Sequence, residues 1–409
     1  MNPQYARLEN GLEVIAQPLP HAKSVAVSLA VRSGARSDKL AGTAHFLEHM
    51  MFKSGRLDTL ELANAFDAIG AQVNAFTAHE LTSYSSFGLP KTQSRQCELL
   101  FTMLQPQLLP EEIELEREVI LEEIELYRDD PMSVALEQSS AIYFAKHPLG
   151  KPVIGRRESV RRLQQHHLQR FLSQHYSAQN MVLGVCGVYD WQTLLSDAQH
   201  FSHGLAQGER QVYHAQHFVP QTGIVRFRYE AALCQISLLA RGFRAKDPLE
   251  LAAVAGAKIL GEAENSRLAW ALVHRGLALS LNLEHEGHSD VGAFYGTLEC
   301  SPNEQENCLE LLLQTLDHAR RHGVEAHELA RLKRRLEVGL ALRLETPSAW
   351  LGAFVEDFVL QGDLQSPEEV LAQIRAIRLE DVNRALWESG LHTPLVLSLG
   401  AHKTAGDLC

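Results

Sequence analysis

Three side chains early in the chain could together carry out hydrolytic chemistry. His45, Glu48 and His49 lie within residues 43–52, and in a helix their spacing of i, i+3 and i+4 places all three on one face. Two imidazoles one turn apart, with a carboxylate between them, are the minimum set for a hydrolytic zinc site. The imidazoles would bind the metal, and the carboxylate would accept a proton from the attacking water.

The residues around this triplet are apolar, which favours a helix packed into a core over a decorated surface helix. Phe46, Leu47, Met50 and Met51 fall around the rest of the cylinder. The order His-x-x-Glu-His is a known zinc-peptidase signature, although a motif this short also occurs on protein surfaces without a metal. The motif therefore predicts a metal site and leaves its third protein ligand open.

A helix predicted over residues 110–128 is a natural source of that ligand because it is rich in glutamate. Its acidic residues are Glu111, Glu112, Glu114, Glu116, Glu118, Glu122, Glu123 and Glu125. Solvation of a charged face accounts for most of these carboxylates. It accounts less well for Glu116 and Glu123, which are seven residues apart, share one helix face and lie beside an apolar stripe.

The surrounding pattern predicts a mixed α and β domain. Residues 11–38 are predicted to form a pair of strands, and residues 72–77 and 81–87 a second pair. A buried strand is predicted over residues 180–188. The predicted helices that accompany these strands cover residues 58–69, 91–106, 110–128, 132–145 and 157–174.

The second half of the chain restarts the first. The segment 28–38 resembles 237–247 at an offset of 209 residues, and residues 255–262 take the place of the triplet helix without histidines. A chance likeness between two strands is the alternative. We interpret the recurrence as a duplicated α+β domain, each copy an antiparallel sheet covered by helices, whose second copy has no metal site.

Length and composition agree with a two-domain protein. The 409 residues, 45% of them hydrophobic, are too many for one core. The polar stretch 203–222 predicts a linker between an N-terminal domain, 1–202, and a C-terminal domain, 223–409.

The same numbers weigh against several other classes of protein. The net charge of −12 argues against nucleic acid or an anionic membrane surface as a partner. No run reaches the roughly 18 apolar residues of a membrane helix, and no signal peptide is visible. The six cysteines form no Cys-x-x-Cys pair, which argues against a disulfide framework or thiolate zinc site and favours a cytoplasmic location.

With these features together, the sequence resembles the pitrilysin, insulinase and mitochondrial-processing-peptidase family of zinc metallopeptidases, the inverzincins. It is most similar to the short bacterial two-domain members. The resemblance runs through nearly the whole chain and is densest from residue 11 to residue 187. Its most specific segments are residues 42–53, 74–77, 116–124 and 147–150.

The resemblance implies a zinc endopeptidase with one Zn²⁺ per chain, bound by His45, His49 and Glu123. A misalignment of the acidic helix by a residue or two would instead make Glu122 or Glu125 the carboxylate ligand. The implied substrates are peptides and unfolded or precursor segments. A protease that matures one ribosomally made peptide would be a narrower form of the same function.

The resemblance also implies roles for residues that bind no metal. Glu48 would be the general base that takes a proton from water and later delivers it to the leaving amine. Glu116 would orient a metal ligand. An edge strand would pair with the backbone of an extended substrate, and this strand comprises Asn74, Ala75, Phe76 and Thr77.

One segment departs from the family pattern. Members that act alone carry in the second domain an arginine and a tyrosine, seven residues apart, which stabilise the developing oxyanion. The matching positions here hold Leu272 and Leu279, and Arg275 has the wrong helical phase. We therefore predict that the chain is the metal-bearing subunit of a heterodimer whose sister chain supplies these groups.

Two alternatives to the heterodimeric enzyme stay open. A homodimer could use other donors, such as Arg267 or Arg275. A non-catalytic structural subunit of a processing-peptidase-like complex is the alternative from another class, and the intact triplet argues against it.

Overall fold

The computed structural model describes residues 2–53, 57–216, 218–262, 264–400 and, by backbone alone, 406–407. The chain forms two compact units, and neither is continuous in sequence. The first unit comprises residues 1–124, 151–212 and 338–371, and the second comprises 125–150, 213–337 and 372–409.

The first half of the chain supplies the strands of one sheet and the first helices of the fold. The strands are β1 (Gln4–Arg7), β2 (Glu13–Pro18), β3 (Val25–Val31), β4 (Gln72–Thr77), β5 (Thr82–Gly88) and β6 (Met181–Gly187). The helices are α1 (Thr43–Met51), α2 (Thr59–Ala68), α3 (Gln93–Met103), α4 (Pro110–Asp129), α5 (Pro131–Phe144), α6 (Arg157–Arg162), α7 (Gln165–His175) and α8 (Trp191–Phe201). The helix predicted over 157–174 is thus two helices, separated by the extended backbone of Leu163 and Gln164.

The first sheet has the strand order β1-β2-β6-β3-β5-β4. The prediction that residues 11–38 form a strand pair is wrong, because β6 lies between β2 and β3. Leu183 of β6 pairs with Val14 in parallel and with Leu29 in antiparallel orientation. The fully buried β6 is distant in sequence, so periodicity within residues 11–38 could not reveal it as the shared neighbour.

The second sheet repeats this arrangement. Its strands are β7 (Gly223–Arg228), β8 (Cys234–Arg241), β9 (Ala278–Gly287), β10 (Gly292–Cys300), β11 (Leu395–Gly400) and β12 (Gly406–Asp407), in the order β12-β7-β11-β8-β10-β9. Five strands match the first sheet in order and direction, including one parallel pair, β7–β11. The outermost strand differs, since β12 runs parallel to β7 whereas β1 is antiparallel to β2.

Helices of the second half complete the fold. They are α9 (Glu250–Gly261), α10 (Gln305–His322), α11 (Ala326–Arg343), α12 (Pro347–Gln361), α13 (Pro367–Ala376) and α14 (Leu379–Glu388). At an offset of 209 residues, β3 corresponds to β8 and α1 corresponds to α9. At this offset the triplet positions of α1 correspond to Val254, Ala257 and Lys258, so the equivalent helix of the second unit lacks these metal ligands.

Two helices explain why the compact units are discontinuous, in contrast to the contiguous domains 1–202 and 223–409 predicted from sequence. In the first unit, α12 packs on β3 and β6; in the second, α5 packs on β8 and β11. Gly184 of β6 admits α12 closely, since a Cβ there would lie 2.3 Å from Cγ2 of Val355. The described part of the predicted linker 203–222 contains neither helix nor strand.

The prediction of a mixed α+β fold with two helix-covered sheets is confirmed. Within the described residues, no helix combines the length and the apolar character required to cross a membrane. The described cysteines, Cys97, Cys186, Cys234, Cys300 and Cys308, are buried and form no disulfide with one another. Cys409 lies outside the described residues.

Candidate metal centre

Helix α1 is fixed at its N-terminus by a buried carboxylate. Asp38 accepts hydrogen bonds from the backbone N–H groups of Gly42, Thr43 and Ala44, at 2.7, 3.0 and 2.9 Å. The carboxyl oxygens of Asp38 thus satisfy three amides that the first turn of the helix leaves unpaired, while burial raises the pKa of Asp38 to about 7. Gly42 has a φ of 89°, and a Cβ there would lie 2.8 Å from the carbonyl oxygen of Ile154, so glycine is required at this start.

The rotation of α1 about its axis is set by its apolar face. Phe46, Leu47, Met50 and Met51 are fully buried, and the side chains of His45 and His49 are therefore directed toward α4. The two imidazole rings lie 4.7 Å apart, centroid to centroid, at 63°. The core packing that the sequence predicted thus presents the two imidazoles side by side.

The structure brings Glu123 to these imidazoles. Its Oε2 lies 3.8 Å from Nε2 of His45 and 3.6 Å from Nε2 of His49. Tetrahedral Zn²⁺ with ligand bonds of about 2.0–2.1 Å needs donor atoms about 3.4 Å apart. These separations are within a few tenths of an ångström of that value, and two imidazole nitrogens with a carboxylate oxygen are a donor set that zinc prefers. The residues therefore fit a zinc ion.

Competing ligands are not placed in the same way. Among the described residues, His45, His49 and Glu123 are the one group of three or more potential ligands whose donor atoms all lie within 4.8 Å of one another. Glu122 is exposed on α4, and Glu125 lies 3.6 Å from Arg128.

The two imidazoles differ in their affinity for protons. Burial, with the charge of His49 as a second cause, lowers the pKa of His45 to about 4, so this ring is neutral at pH 7. Burial also lowers the pKa of His49, but the hydrogen bond to Glu116 and the charges of Glu116, Glu123 and Glu48 outweigh it, and the net pKa is raised. A proton on His49 therefore competes with a metal more strongly than one on His45.

Glu116 contacts the far side of the His49 ring. Nδ1 of His49 donates a hydrogen bond of 2.8 Å to Oε1 of Glu116, which leaves Nε2 as the metal-facing nitrogen. This bond lowers the pKa of Glu116, so the carboxyl is ionised at neutral pH. Glu116 in turn lies 3.7 Å from Nζ of Lys53, and that amine is 3.4 Å from Glu112.

Lys53 and Glu112 were not identified from sequence as part of the site. Lys53 lies one turn beyond His49, in the segment 42–53 that carries the family resemblance, and Glu112 lies one turn before Glu116. Helical spacing from known site residues could therefore have suggested both.

Glu48 is held next to the imidazoles but forms no part of the ligand cluster. Its side chain is buried, and the hydroxyl of Thr77 donates a hydrogen bond of 2.6 Å to Oε2. Burial raises the pKa of Glu48, while the bond to Thr77 and the charge of His49 act in the opposite direction. The carboxyl is thus poised to exchange a proton more readily than an exposed glutamate.

Strand β4, which carries the predicted substrate-binding residues, lies at the edge of its sheet. Ala78 N–H donates to the carbonyl of Leu81, so the backbone groups of Ala78 point toward β5. Because this direction alternates along a strand, the N–H and C=O groups of Asn74 and Phe76 also point toward β5. The backbone N–H and C=O groups of Ala75 and Thr77 consequently point to the free edge. The side chains of β4 point alternately to the two faces of the sheet: Asn74 and Phe76 are exposed, whereas Ala75 and Thr77 are half-buried on the side of α1.

The two positions that depart from the family pattern, Leu272 and Leu279, offer no side-chain hydrogen-bond donor. Leu272 is fully buried in a π-helix, Ala269–Val273, and Leu279 is 63% exposed at the start of β9. Of the two alternative donors, Arg267 forms a two-pronged ion pair with Glu328 at 2.8 and 2.5 Å, and Arg275 is exposed.

Family profiles and named relatives match nearly the whole chain. The family profile described as Insulinase (Peptidase family M16) matches residues 13–157, and the profile of the peptidase M16 inactive domain matches residues 162–336. The chain is 29% identical to a protein of Mycobacterium tuberculosis named uncharacterized zinc protease Rv2782c, over 93% of this chain and 89% of that one. It is 26% identical to uncharacterized zinc protease YmxG of Bacillus subtilis, over 92% of each chain.

Solved structures share the fold. A structure from Pseudomonas fluorescens described as a peptidase M16 inactive domain superposes with a TM-score of 0.92 at 18% identity, over 100% of both chains. A protease from Helicobacter pylori superposes with a TM-score of 0.88 at 22% identity, over 97% of this chain and 99% of that one. Both profile matches and the zinc-protease relatives lead to one conclusion: the chain belongs to peptidase family M16, and it is of the short two-domain type.

Proposed function

We propose that this protein is a zinc-dependent endopeptidase that hydrolyses peptides or unfolded precursor segments. The observation that carries the proposal is the convergence of three ligand atoms, from His45, His49 and Glu123, within 4.8 Å beside a buried carboxylate, Glu48. Zinc proteases among the relatives support the choice of metal.

The residues of the site have complementary roles. When bound, zinc supplies Lewis acidity toward a water molecule and a substrate carbonyl. His45, His49 and Glu123 hold the ion, and Glu116 fixes the His49 ring through Nδ1. Glu48 accepts a proton from the attacking water on its carboxylate and delivers it to the leaving amine, since its raised pKa suits both transfers.

An extended peptide is the substrate that the free edge of β4 suits. The outward backbone groups of Ala75 and Thr77 can pair with a substrate main chain, as an added strand pairs with a sheet edge. Thr77 also contacts Glu48, so a strand added here would pass close to the general base. Main-chain pairing selects for an extended, unfolded segment more than for particular side chains.

A sister subunit is part of the proposal. Leu272 and Leu279 cannot stabilise an oxyanion, and Arg267 is already paired with Glu328. A paralogous chain with the arginine and tyrosine would complete the site in a heterodimer. A homodimer that uses Arg275 is the competing assembly.

The test compares wild type with Glu48→Gln, each alone and mixed with the candidate sister chain. We expect one zinc per chain in both proteins, cleavage of a quenched extended peptide by wild type, and loss of at least about a hundredfold in kcat for the variant. The heterodimer predicts a large gain in activity on mixing. Full activity of the isolated chain would refute the heterodimer, and equal rates for wild type and variant would refute the peptidase.

A non-catalytic structural subunit is the second candidate. It is favoured by one observation, the leucines at both oxyanion positions. Under this alternative, wild type and Glu48→Gln would both fail to cleave peptide in every mixture while still joining a complex.

A further inference from the structure

We propose that Thr77 is a positioning residue that holds Glu48 in the orientation required for proton transfer, in addition to its place in the edge strand. The inference rests on the proposed peptidase function. Neither the zinc motif nor the match to the family assigns this role to Thr77, because it depends on a contact between β4 and α1.

The contact is short, directional and sheltered. Oγ1 of Thr77 donates to Oε2 of Glu48 at 2.6 Å, and the Glu48 residue is only 9% exposed. A hydroxyl that donates to an ionised carboxylate makes one of the stronger hydrogen bonds of proteins, particularly where little water competes. Within the described part of the chain, this is the only hydrogen bond to the Glu48 side chain. Thr77 therefore fixes one oxygen and leaves Oε1 to exchange protons.

The backbone that carries Thr77 is itself anchored to the segment before α1. Ala35 N–H donates to the carbonyl of Ala78 at 3.0 Å, and Arg36 N–H donates to that of His79 at 2.8 Å. The side chain of Arg36 pairs with Glu80 at 2.5 Å, with both groups almost fully buried.

These bonds join the hairpin turn after Thr77 to the segment 35–38, where Asp38 caps α1. Both ends of the Thr77–Glu48 hydrogen bond are consequently anchored to the segment 35–38. The geometry favours a fixed carboxylate over one that samples several rotamers.

The bond also links substrate binding to the general base. Thr77 offers its backbone N–H and C=O to the free edge of β4, while its side chain holds Glu48. A peptide paired with this residue would be aligned against the same element that aligns the base. Such alignment contributes to kcat because it lowers the cost of reaching the reactive geometry.

Three variants test the role. Thr77→Val keeps the shape and removes the donor, Thr77→Ser keeps the donor, and Thr82→Val makes the same change at the register partner of Thr77 on β5. Thr82 donates to the carbonyl of Ser33 and is fully buried, so it is a matched control for the loss of a buried hydroxyl.

We expect Thr77→Val to lower kcat about 10- to 100-fold with little change in KM or zinc content, as the loss of a charge-assisted hydrogen bond predicts. Thr77→Ser should stay within about threefold of wild type, and Thr82→Val should do so as well. The assay uses whichever form of the protein, alone or with its sister chain, cleaves the peptide. Equal losses in Thr77→Val and Thr77→Ser, or in Thr77→Val and Thr82→Val, would overturn the proposal.

A second readout needs no activity. The melting temperatures of the metal-free wild type, Thr77→Val, Glu48→Ala and the double variant form a thermodynamic cycle. The proposal predicts that Thr77→Val lowers the melting temperature in the wild-type background and not in the Glu48→Ala background. If the shifts are additive and the protein cleaves peptide, the positioning role is overturned and the peptidase function is not. If the shifts are non-additive and the protein cleaves no peptide, the peptidase function is overturned and the positioning role with it.

Discussion

Replacement of Glu116 by glutamine isolates the contribution of an ionised carboxylate that touches no metal. The hydrogen bond from His49 Nδ1 to Glu116 is 2.8 Å long and joins a half-buried pair. Glutamine keeps the size and one acceptor oxygen but removes the charge. Bonds to charged groups contribute about 1.5–3 kcal/mol and neutral ones about 0.5–1.5 kcal/mol, so the change costs roughly 1–2 kcal/mol.

That cost should appear in zinc affinity, because the carboxylate increases the basicity of Nε2 and fixes the orientation of the ring. A loss of roughly 1–2 kcal/mol corresponds to an increase of about 5- to 30-fold in Kd, in the range found when residues that orient metal ligands are replaced. The measurement is competition for zinc between the metal-free protein and a chromogenic chelator at pH 7.5.

Glu122→Gln is the matched control. Glu122 is exposed on the same helix, one residue from Glu123, so its replacement removes a comparable charge without a contact to the ligands. It should change the zinc Kd by less than about twofold, as expected for an exposed charge screened by salt. A Kd for Glu116→Gln equal to that of wild type, or equal losses in both variants, would refute the reasoning.

Three further predictions concern protons and packing. Zinc binding near pH 6 should release about one proton, from His49, because the pKa of His45 is already about 4 and that of His49 is raised. Calorimetry in buffers of different ionisation enthalpy measures the number of protons released, and a release of two protons would contradict the prediction. Gly184→Ala should lower the free energy of unfolding in urea by about 1–3 kcal/mol, since its Cβ would meet Val355 at 2.3 Å; an unchanged value would contradict the packing of α12. Burial lowers the pKa of His285 to about 4, so the unfolded state binds more protons than the folded state between pH 4 and 6.5. The free energy of unfolding should therefore rise with pH across that window, by up to about 3 kcal/mol from this residue. His285→Gln should flatten the rise, and an unchanged slope would contradict the prediction.

Local patterns predicted the elements of the first unit well. The apolar residues around the triplet predicted a core-facing helix, and α1 indeed buries Phe46, Leu47, Met50 and Met51. The predicted strands 72–77 and 81–87 correspond to the hairpin β4–β5. These features follow from periodicity and turn residues within a few neighbours of each position, which is why the sequence displays them.

The pairing between distant segments was not visible in the same way. Strand β6 lies between β2 and β3, and helices α5 and α12 lie in units other than those that contiguous domains would give them. Periodicity states which face of an element is apolar but not which other element covers it.

The sequence by itself determined the donor types of the site, the spacing of His45, Glu48 and His49 on one helix, and the duplication that lacks them in its second copy. Only the tertiary structure decided which carboxylate of α4 meets the imidazoles. It also decided that Thr77 contacts Glu48 and that Lys53 contacts Glu116. The physical reason is the range of the interactions. Helical spacing is fixed by bonds between near neighbours, whereas the approach of α4 and β4 to α1 depends on how the whole core packs, to within a few tenths of an ångström.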